Sequence, residues 1–308
     1  GPGEVVIQTA ISVLCGSELH AYRGHGLPHG NGGHEAAGTV VALGPGTKRL
    51  EIGQRVGVSG VVGCGHCEQC LAGRYTWCQQ RLGYGSMHQQ RFVTAEHACH
   101  VLPDDLPWEV GVLITGDGMG VPYHTSTRLA NPAIKTVAIF GVGPIGLGNV
   151  IMETFLGRQV MVVDVSPYRL ELAQRLGAVA AFNAADGDPV ECVRARTAGH
   201  GADACIECAG RPETFRSCLA AVRTGGIMAI NGEQPRVELS PSEDLIRRDI
   251  TVFGSWFYFF AEYPEMLALV HRGLPAGDLI THRYPLAEAD AAFREFAAGR
   301  TGKVALLY

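Results

Sequence analysis

The pattern of apolar residues changes at residue 136. Before it, short apolar and β-branched runs are separated by glycine turns, which predicts strands at residues 5–13, 38–43, 55–59, 89–95 and 99–102. After it, strand-length apolar runs alternate with helical patterns, and strands are predicted at residues 136–140, 159–164, 178–182, 203–207, 226–231 and 250–254. This alternation indicates an α/β fold in which a parallel, doubly wound Rossmann sheet follows a β-rich domain.

Helical patterns separate the later strands. Helices are predicted at residues 167–176, 212–222 and 242–247. Beyond residue 254 the alternation loosens, with helices predicted at residues 263–272 and 287–298 and a strand at residues 304–307. The alternating part is therefore bounded on both sides by segments of a different pattern.

Residues 136–164 form the most informative stretch of this alternating part. A strand pattern leads into the turn Gly141, Val142, Gly143, Pro144, Ile145 and Gly146, a helical pattern follows, and a second strand ends in Asp164. The glycines allow a tight turn, close approach of a pyrophosphate and close packing of helix on strand, and the helix N-terminus offers free N–H groups to phosphate. We therefore expect these turn residues to bind a dinucleotide.

Asp164 indicates which dinucleotide binds. It lies about 20 residues after the turn, where a carboxylate accepts both ribose hydroxyls of NAD and repels the 2′-phosphate of NADP. The alternative is a glycine-rich turn that binds nothing, but the strand, helix and acid all occur in the required order. The sequence predicts NAD as the cofactor.

Composition and charge narrow the class of protein. The chain has 308 residues, of which 46% are hydrophobic, and a net charge of −5, so it is long enough for two globular domains. The absence of basic runs argues against a nucleic-acid partner, and the apolar runs are too short for a membrane span. With ten cysteines and no signal peptide, we expect a cytoplasmic protein that uses cysteines for metal binding.

Four cysteines lie close together, at Cys64, Cys67, Cys70 and Cys78. Four thiolates on one loop can surround one tetrahedral zinc, and a closed sulfur shell leaves no position for substrate. A redox pair or chance clustering does not account for the regular spacing. We therefore predict a structural zinc, with His66 as a bystander inside the loop.

A second set of metal-binding side chains is dispersed. Cys15 follows the first predicted strand and His34 precedes the next. Taken alone, the cysteine is typical of a small buried residue and the histidine of a hydrogen-bonded loop residue. A catalytic zinc needs three protein ligands and an open position, and spacing does not fix the third ligand.

These motifs together resemble the zinc-dependent medium-chain alcohol dehydrogenases over nearly the whole chain. The segments that carry the resemblance are CGSELH at 15–20, GGHEAAGTVVALG at 32–44, the four-cysteine loop, GVGPIG at 141–146 and GKVALL at 302–307. The resemblance implies a chaperonin-10-like (GroES-like) catalytic domain at residues 1–118 and 254–308. It also implies an NAD-binding Rossmann domain at residues 119–253.

The resemblance also implies a catalytic zinc held by Cys15 and His34. Asp117 falls where many relatives have the third ligand, usually a cysteine, and Glu35 falls where relatives have an acid that supports or binds the metal. We favour Asp117 over Glu35 as the third zinc ligand and count Glu35 among the catalytic residues. Asp117 also fits a simple turn or helix cap.

Further roles follow from the same resemblance. Ser17 and His20 match the family's proton relay, although His20 also fits a solvated helix position. Arg169 lies where relatives place a basic residue near the adenosine ribose. Ile230 and Phe253 match contacts to the nicotinamide, but they also fit ordinary core positions at strand ends.

The expected activity is hydride transfer between NAD and a secondary alcohol, polyol or sugar-like hydroxyl, or the matching ketone. Ser17, in place of a larger threonine, leaves room at the alcohol carbon. One alternative is an NAD(P)H-dependent carbonyl or quinone reductase with only a structural zinc, and another is a non-enzymatic nucleotide-binding protein. We expect a homodimer or homotetramer, and we expect the aromatic run at residues 256–260 to serve packing rather than substrate binding.

Overall fold

The structure is a computed structural model that describes residues 1–24, 26–27 and 31–308. It contains two compact units. Gly1–Gly120 and Phe257–Tyr308 form the first, which we call the split unit because its two segments are separated in sequence. Val121–Trp256 form the second, which we call the inserted unit.

Each unit is built on one sheet. In chain order they are β1 (Glu4–Val13), β2 (Ala36–Leu43), β3 (Arg55–Val58), β4 (Arg91–Ala95), β5 (Cys99–Val101), β6 (Thr136–Phe140), β7 (Gln159–Asp164), β8 (Ala180–Asn183), β9 (Ala202–Glu207), β10 (Val222–Ile230), β11 (Thr251–Gly254), β12 (Ile280–Pro285) and β13 (Lys303–Leu307).

The helices of the split unit are on average shorter than those of the inserted unit. In chain order they are α1 (Leu19–Arg23), α2 (Glu68–Leu71), α3 (Trp108–Ile114), α4 (Asp117–Arg128), α5 (Pro144–Phe155), α6 (Pro167–Arg175), α7 (Pro189–Ala195), α8 (Pro212–Ala221), α9 (Tyr263–His271) and α10 (Ala289–Ala297). No helix within the described residues has both the length and the apolar character that a bilayer crossing requires.

Strand β1 organises the sheet of the split unit. Its residues alternate between buried and half-buried, the period-2 pattern of a strand with one face in the core. It pairs antiparallel with β2, β4 and β13, and the main path of the sheet runs β12-β13-β1-β2-β3-β5. Ile7, Val40, Val56 and Phe92 lie in the core that this sheet covers. The predicted β-rich domain is confirmed.

The inserted unit is a parallel sheet with the order β11-β10-β9-β6-β7-β8. Helices α5 to α8 alternate with its strands, and a core cluster on one face of the sheet includes Phe140, Met161 and, from α8, Phe215. The strand order reverses at β6, which pairs with both β7 and β9, and open α/β sheets bind ligands at such a switch point. The predicted doubly wound sheet is confirmed.

Residues 242–247, predicted as a helix, are the main local error. A π-helical turn spans Pro241–Leu245 and a 3-10 turn spans Ile246–Arg248. Leu245, between them, leaves helical geometry at φ −122°, and Asp249 adopts the left-handed conformation at φ 49°. Helix α7 was missed because it spans only seven residues, too few for a clear period.

Candidate active site

The four-cysteine loop lies between β3 and β4 and includes helix α2, which carries Cys70. Its Sγ–Sγ distances are 3.9 Å between Cys64 and Cys70, 3.5 Å between Cys67 and Cys70, and 3.8 Å between Cys67 and Cys78. Four sulfurs about 2.3 Å from one zinc would lie about 3.8 Å apart. The donor set therefore fits a tetrahedral zinc without rearrangement.

Backbone groups support the same interpretation. The N–H groups of Cys64 and Gln80 point at Cys78 Sγ from 3.4 and 3.3 Å, as they would toward a thiolate. The His66 ring lies 3.0 Å from the carbonyl of Cys64 and is exposed, so it does not join the group of sulfur atoms.

An aromatic cluster packs against this loop through Tyr75. Tyr75, in the turn between Cys70 and Cys78, stacks on Phe260 at 4.7 Å, and Phe260 stacks on His100 at 3.8 Å. Burial, together with the charge of Arg49, lowers the pKa of His100 to about 3, so the ring is neutral near pH 7. Part of the aromatic run at residues 256–260 therefore packs in the core.

The second cluster is assembled from three separate segments. Cys15 follows β1, His34 precedes β2, and the antiparallel register that places Ser12 opposite Ala36 brings the two close together. Asp117, the first residue of α4, completes the group. Its Oδ2 lies 3.2 Å from His34 Nε2 and 3.8 Å from Cys15 Sγ.

Glu35 belongs to this cluster by distance, but its carboxylate is engaged elsewhere. It is fully buried, forms an ion pair with the equally buried Lys303, and accepts a hydrogen bond of 3.0 Å from the N–H of Gly118. Burial works to lower the pKa of Lys303, but the neighbouring acidic groups, Glu35 first among them, together outweigh it and raise that pKa, so the ammonium stays charged. Asp117 is thus the carboxylate directed at Cys15 and His34.

Glu18 and His88 were missed as members of the site. Glu18 accepts backbone hydrogen bonds from Cys15 at 2.8 Å and from Gly33 at 2.6 Å, so one carboxylate ties together the two turns that carry Cys15 and His34. Burial works to raise the pKa of Glu18, but its contacts with His88 and the backbone lower it to about 2. An acid three residues after a candidate ligand cysteine was the available signal.

His88 lies on the other side of this carboxylate. Its Nε2 is 3.0 Å from Glu18 Oε1, and its Nδ1 is 2.8 Å from Ser12 Oγ. The predicted proton relay consists of Ser17, in the 3-10 turn Gly16–Glu18, and His20, in α1, and both side chains are exposed to solvent.

The inserted unit carries the predicted dinucleotide turn at the end of β6. Gly141 has φ 89°, and a Cβ there would lie 2.7 Å from the backbone nitrogen of Ala209. A Cβ at Gly146 would collide with the carbonyl of Gly141, so both positions require glycine. Pro144 is the first residue of α5 and Ile145 follows it, so the helix N-terminus opens onto the turn.

Asp164 ends β7 beside this turn. Its carboxylate accepts hydrogen bonds from the N–H of Val142 at 2.7 Å and of Ser166 at 2.8 Å. Arg169 approaches the same turn, because a Cβ at Gly143 would lie 3.9 Å from its Nη1. Burial lowers the pKa of Arg169, and the charge of Asp164 opposes that effect.

The two remaining predicted cofactor residues lie on neighbouring strands. Ile230 ends β10 and Phe253 lies in β11, and both side chains are half-buried. The Arg128 guanidinium lies 3.9 Å above the Phe253 ring, so this ring already has a cation–π partner on one face.

A sulfur, nitrogen and carboxylate donor set together with a dinucleotide turn defines a zinc- and nicotinamide-dependent oxidoreductase. Family models support this class. Residues 1–104 match the alcohol dehydrogenase GroES-like domain, and residues 144–272 match the zinc-binding dehydrogenase domain.

Relatives of the whole chain give the same result. The L-threonine 3-dehydrogenase of Symbiobacterium thermophilum is 32% identical and aligns over 100% of this chain and 91% of its own length. Among solved structures, an alcohol dehydrogenase from Thermus sp. ATN1 has a TM-score of 0.88 at 27% identity, covering 100% of this chain and 93% of that one. The 2R,3R-butanediol dehydrogenase of Bacillus subtilis has a TM-score of 0.86 at 26% identity, with the same coverage.

The chain belongs to the zinc-dependent medium-chain dehydrogenase family. It is an NAD-dependent oxidoreductase that acts on the CH–OH groups of small molecules, and zinc is its metal cofactor. The family, fold class and cofactors predicted from the sequence are confirmed.

Proposed function

We propose that Cys15, His34 and Asp117 hold the catalytic zinc of this dehydrogenase. The observation that carries the proposal is the position of the Asp117 carboxylate, 3.2 Å from His34 Nε2, while Glu35 is held by Lys303 and the N–H of Gly118. One thiolate, one imidazole and one carboxylate make the three-ligand set that leaves a coordination position open. The thiolates of the four-cysteine loop hold the structural zinc.

The residues around this site supply the proton chemistry. When bound, zinc supplies Lewis-acid activation of a hydroxyl group and NAD supplies the hydride acceptor. Ser17 accepts a hydrogen bond from the substrate hydroxyl group, and the exposed imidazole of His20 takes up the released proton and passes it to solvent. The ion pair of Glu35 with Lys303 keeps a second negative charge from acting on the site.

The inserted unit orients the cofactor. The helix N-terminus behind the turn binds the pyrophosphate, and the Asp164 carboxylate binds the adenosine ribose, with Arg169 beside it. Other residues proposed to contact NAD are Gly141, Gly143, Pro144, Ile145, Gly146, Ile230 and Phe253. The N–H groups of Val142 and Ser166 that now bind Asp164 fix its carboxylate at the strand end.

The substrate is a secondary alcohol, a polyol or a sugar-like ring. L-threonine and 2R,3R-butanediol, which appear in the names of two relatives, both carry a secondary hydroxyl group. Ser17 in place of threonine leaves room for the second substituent of such a carbon.

Zinc counting combined with turnover tests the proposal. The wild type should hold two zinc ions per chain and reduce NAD with secondary alcohols. Asp117→Ala should lose one zinc and the activity, whereas Glu35→Gln and the exposed control Asp105→Ala should keep both zincs. Loss of one zinc in Glu35→Gln but not in Asp117→Ala would reverse the assignment of the third ligand.

We also propose a cytoplasmic homodimer or homotetramer. Free cysteines, including the four of the loop, suit a reducing compartment. Strand β11 lies at an edge of its sheet, and Trp256 and Ile246 nearby are 46% and 68% exposed, which suits burial against another copy. Light scattering of the purified protein measures the oligomer size, and a monomer at micromolar concentration would contradict the proposal.

A further inference from the structure

A cavity of about 560 Å³ lies in the split unit next to the proposed zinc ligands. Ser17 and His34 both contribute to its wall, so it begins where the reacting hydroxyl group is expected. Binding sites for small molecules have volumes of roughly 300–1,000 Å³. The cavity is therefore large enough for a ring-sized substituent of the substrate.

The wall opposite these polar residues is apolar. Leu286 and Phe293 contribute to it from the C-terminal part of the split unit, Leu306 from β13, and Tyr22 from α1. The rings of Tyr22 and Phe293 stack at a centroid distance of 5.1 Å and an interplanar angle of 20°. Such a surface stabilises apolar groups by removing them from water, at roughly 25 cal/mol per Å².

The charges around the cavity do not favour an anion. None of the described lining residues is Lys or Arg. The one carboxylate in the wall, Glu18, already accepts hydrogen bonds from the backbone of Cys15 and Gly33 and faces His88 at 3.0 Å. A carboxylate or phosphate placed here would lose its hydration without gaining a lysine or arginine partner among the described lining residues.

We propose that this cavity receives an uncharged, largely apolar substituent of the secondary alcohol, and that alcohols with an anionic group at that position are poor substrates. This inference rests on the proposed function, because it assigns the cavity to the substrate of that reaction. It adds the chemical class of the substrate.

Two alcohols of equal size test the role of charge. The compounds are 4-(1-hydroxyethyl)benzamide and 4-(1-hydroxyethyl)benzoate, which differ in charge at the far end of the ring. The zinc-loaded enzyme should oxidise the amide with a kcat/KM at least roughly tenfold higher than that of the benzoate. Equal values for the two compounds, or a preference for the benzoate, would overturn the proposal.

Two substitutions test the location. Ala289→Phe should fill the cavity and Phe293→Ala should remove its aromatic wall, and each should lower kcat/KM for the benzamide about tenfold while that for 2-propanol changes little. The control is Ala287→Phe, the same change at an exposed position two residues away. Thermal melting checks that each variant is folded. If the ratio of kcat/KM for 4-(1-hydroxyethyl)benzamide to kcat/KM for 2-propanol is unchanged in both cavity variants, the location is contradicted.

A binding measurement separates this inference from the proposed function. Calorimetry on the zinc-loaded protein should show that 4-(1-hydroxyethyl)benzamide binds. Ala289→Phe should weaken this binding, and Ala287→Phe should preserve it. If no alcohol is oxidised but this binding pattern holds, the proposed function fails and the cavity assignment stands. If 2-propanol is oxidised but the benzamide neither binds nor reacts, the proposed function stands and the cavity assignment fails.

Discussion

The two metal-binding clusters of the split unit are built in opposite ways. The four cysteines lie within a 15-residue loop, with one of them on a short helix, so local chain geometry brings their sulfur atoms together. Cys15, His34 and Asp117 come from three segments, and Cys15 and Asp117 are 102 residues apart. The local cluster depends on its loop, whereas the dispersed cluster depends on the register and packing of the whole unit. The difference separates a site for stability from a site for chemistry.

Cys15→Ala is expected to have the largest effect on activity. Removing one of three ligands should lower kcat by about 1,000-fold or more, because Lewis-acid stabilisation contributes several kcal/mol. The melting temperature should change little, since the four-cysteine loop keeps its zinc. Steady-state kinetics and zinc analysis measure both quantities. If Cys15→Ala stays active, and if the protein holds one zinc that is lost when Cys64 is replaced but not when Cys15 is replaced, the result would instead support a reductase with a structural zinc alone.

Cys78→Ser is expected to give the reverse pattern. The loop should lose its zinc, and the melting temperature should fall by roughly 10 °C, because the binding energy of a structural metal contributes to folding. Activity at low temperature should fall much less than in Cys15→Ala. Scanning calorimetry with metal analysis makes the comparison, and equal effects of the two variants on stability would remove the distinction between the clusters.

Lys303→Met tests the packing on which the dispersed cluster depends. It leaves the buried Glu35 carboxylate without its partner, which should cost about 3–5 kcal/mol of unfolding free energy. The double variant Glu35→Met with Lys303→Met should recover much of that loss, and the exposed control Lys135→Met should be neutral. Denaturant unfolding measures these values. A double variant as unstable as Lys303→Met would show that the unpaired charge is not the cause.

His100→Phe should have the smallest effect, visible only in acid. In the folded protein the pKa of His100 is about 3, whereas the unfolded value is about 6.5. As pH falls, His100 therefore binds a proton in the unfolded state before it does so in the folded state. The stability that the neutral ring confers is complete above about pH 6.5. It is lost between about pH 6.5 and 3, at up to about 1.4 kcal/mol per pH unit. The variant should show a shallower decline in this range, and an unchanged slope would mean that His100 titrates normally.

The sequence predicted those parts of the molecule that local patterns determine. The turn at Gly141–Gly146, the strands beside it and the four-cysteine loop all follow from spacing within a few tens of residues. The third ligand could be suggested only by resemblance, because it depends on where α4 begins relative to the hairpin of β1 and β2. The choice of Asp117 over Glu35 stays a proposal, which the ion pair of Glu35 with Lys303 supports.

Lys303 could not be predicted for a related reason. A lysine at the start of an apolar strand is normally read as solvent-exposed, and its partner Glu35 is 268 residues away in sequence. His88 likewise depends on contacts with Ser12 and Glu18 that are formed by tertiary packing. The short helix α7 was missed although Asp188 caps it and Pro189 begins it, signals that a periodicity search does not weigh.

The position of Lys303 in β13 also has a consequence for the order of folding during synthesis. The ribosome synthesises Glu35 long before Lys303. The ion pair between them can form only after β13 has been made and has paired with β1. A nascent split unit therefore carries an uncompensated acid in its future core. It should remain unable to close around that acid until β13 has been synthesised, which favours prior folding of the inserted unit.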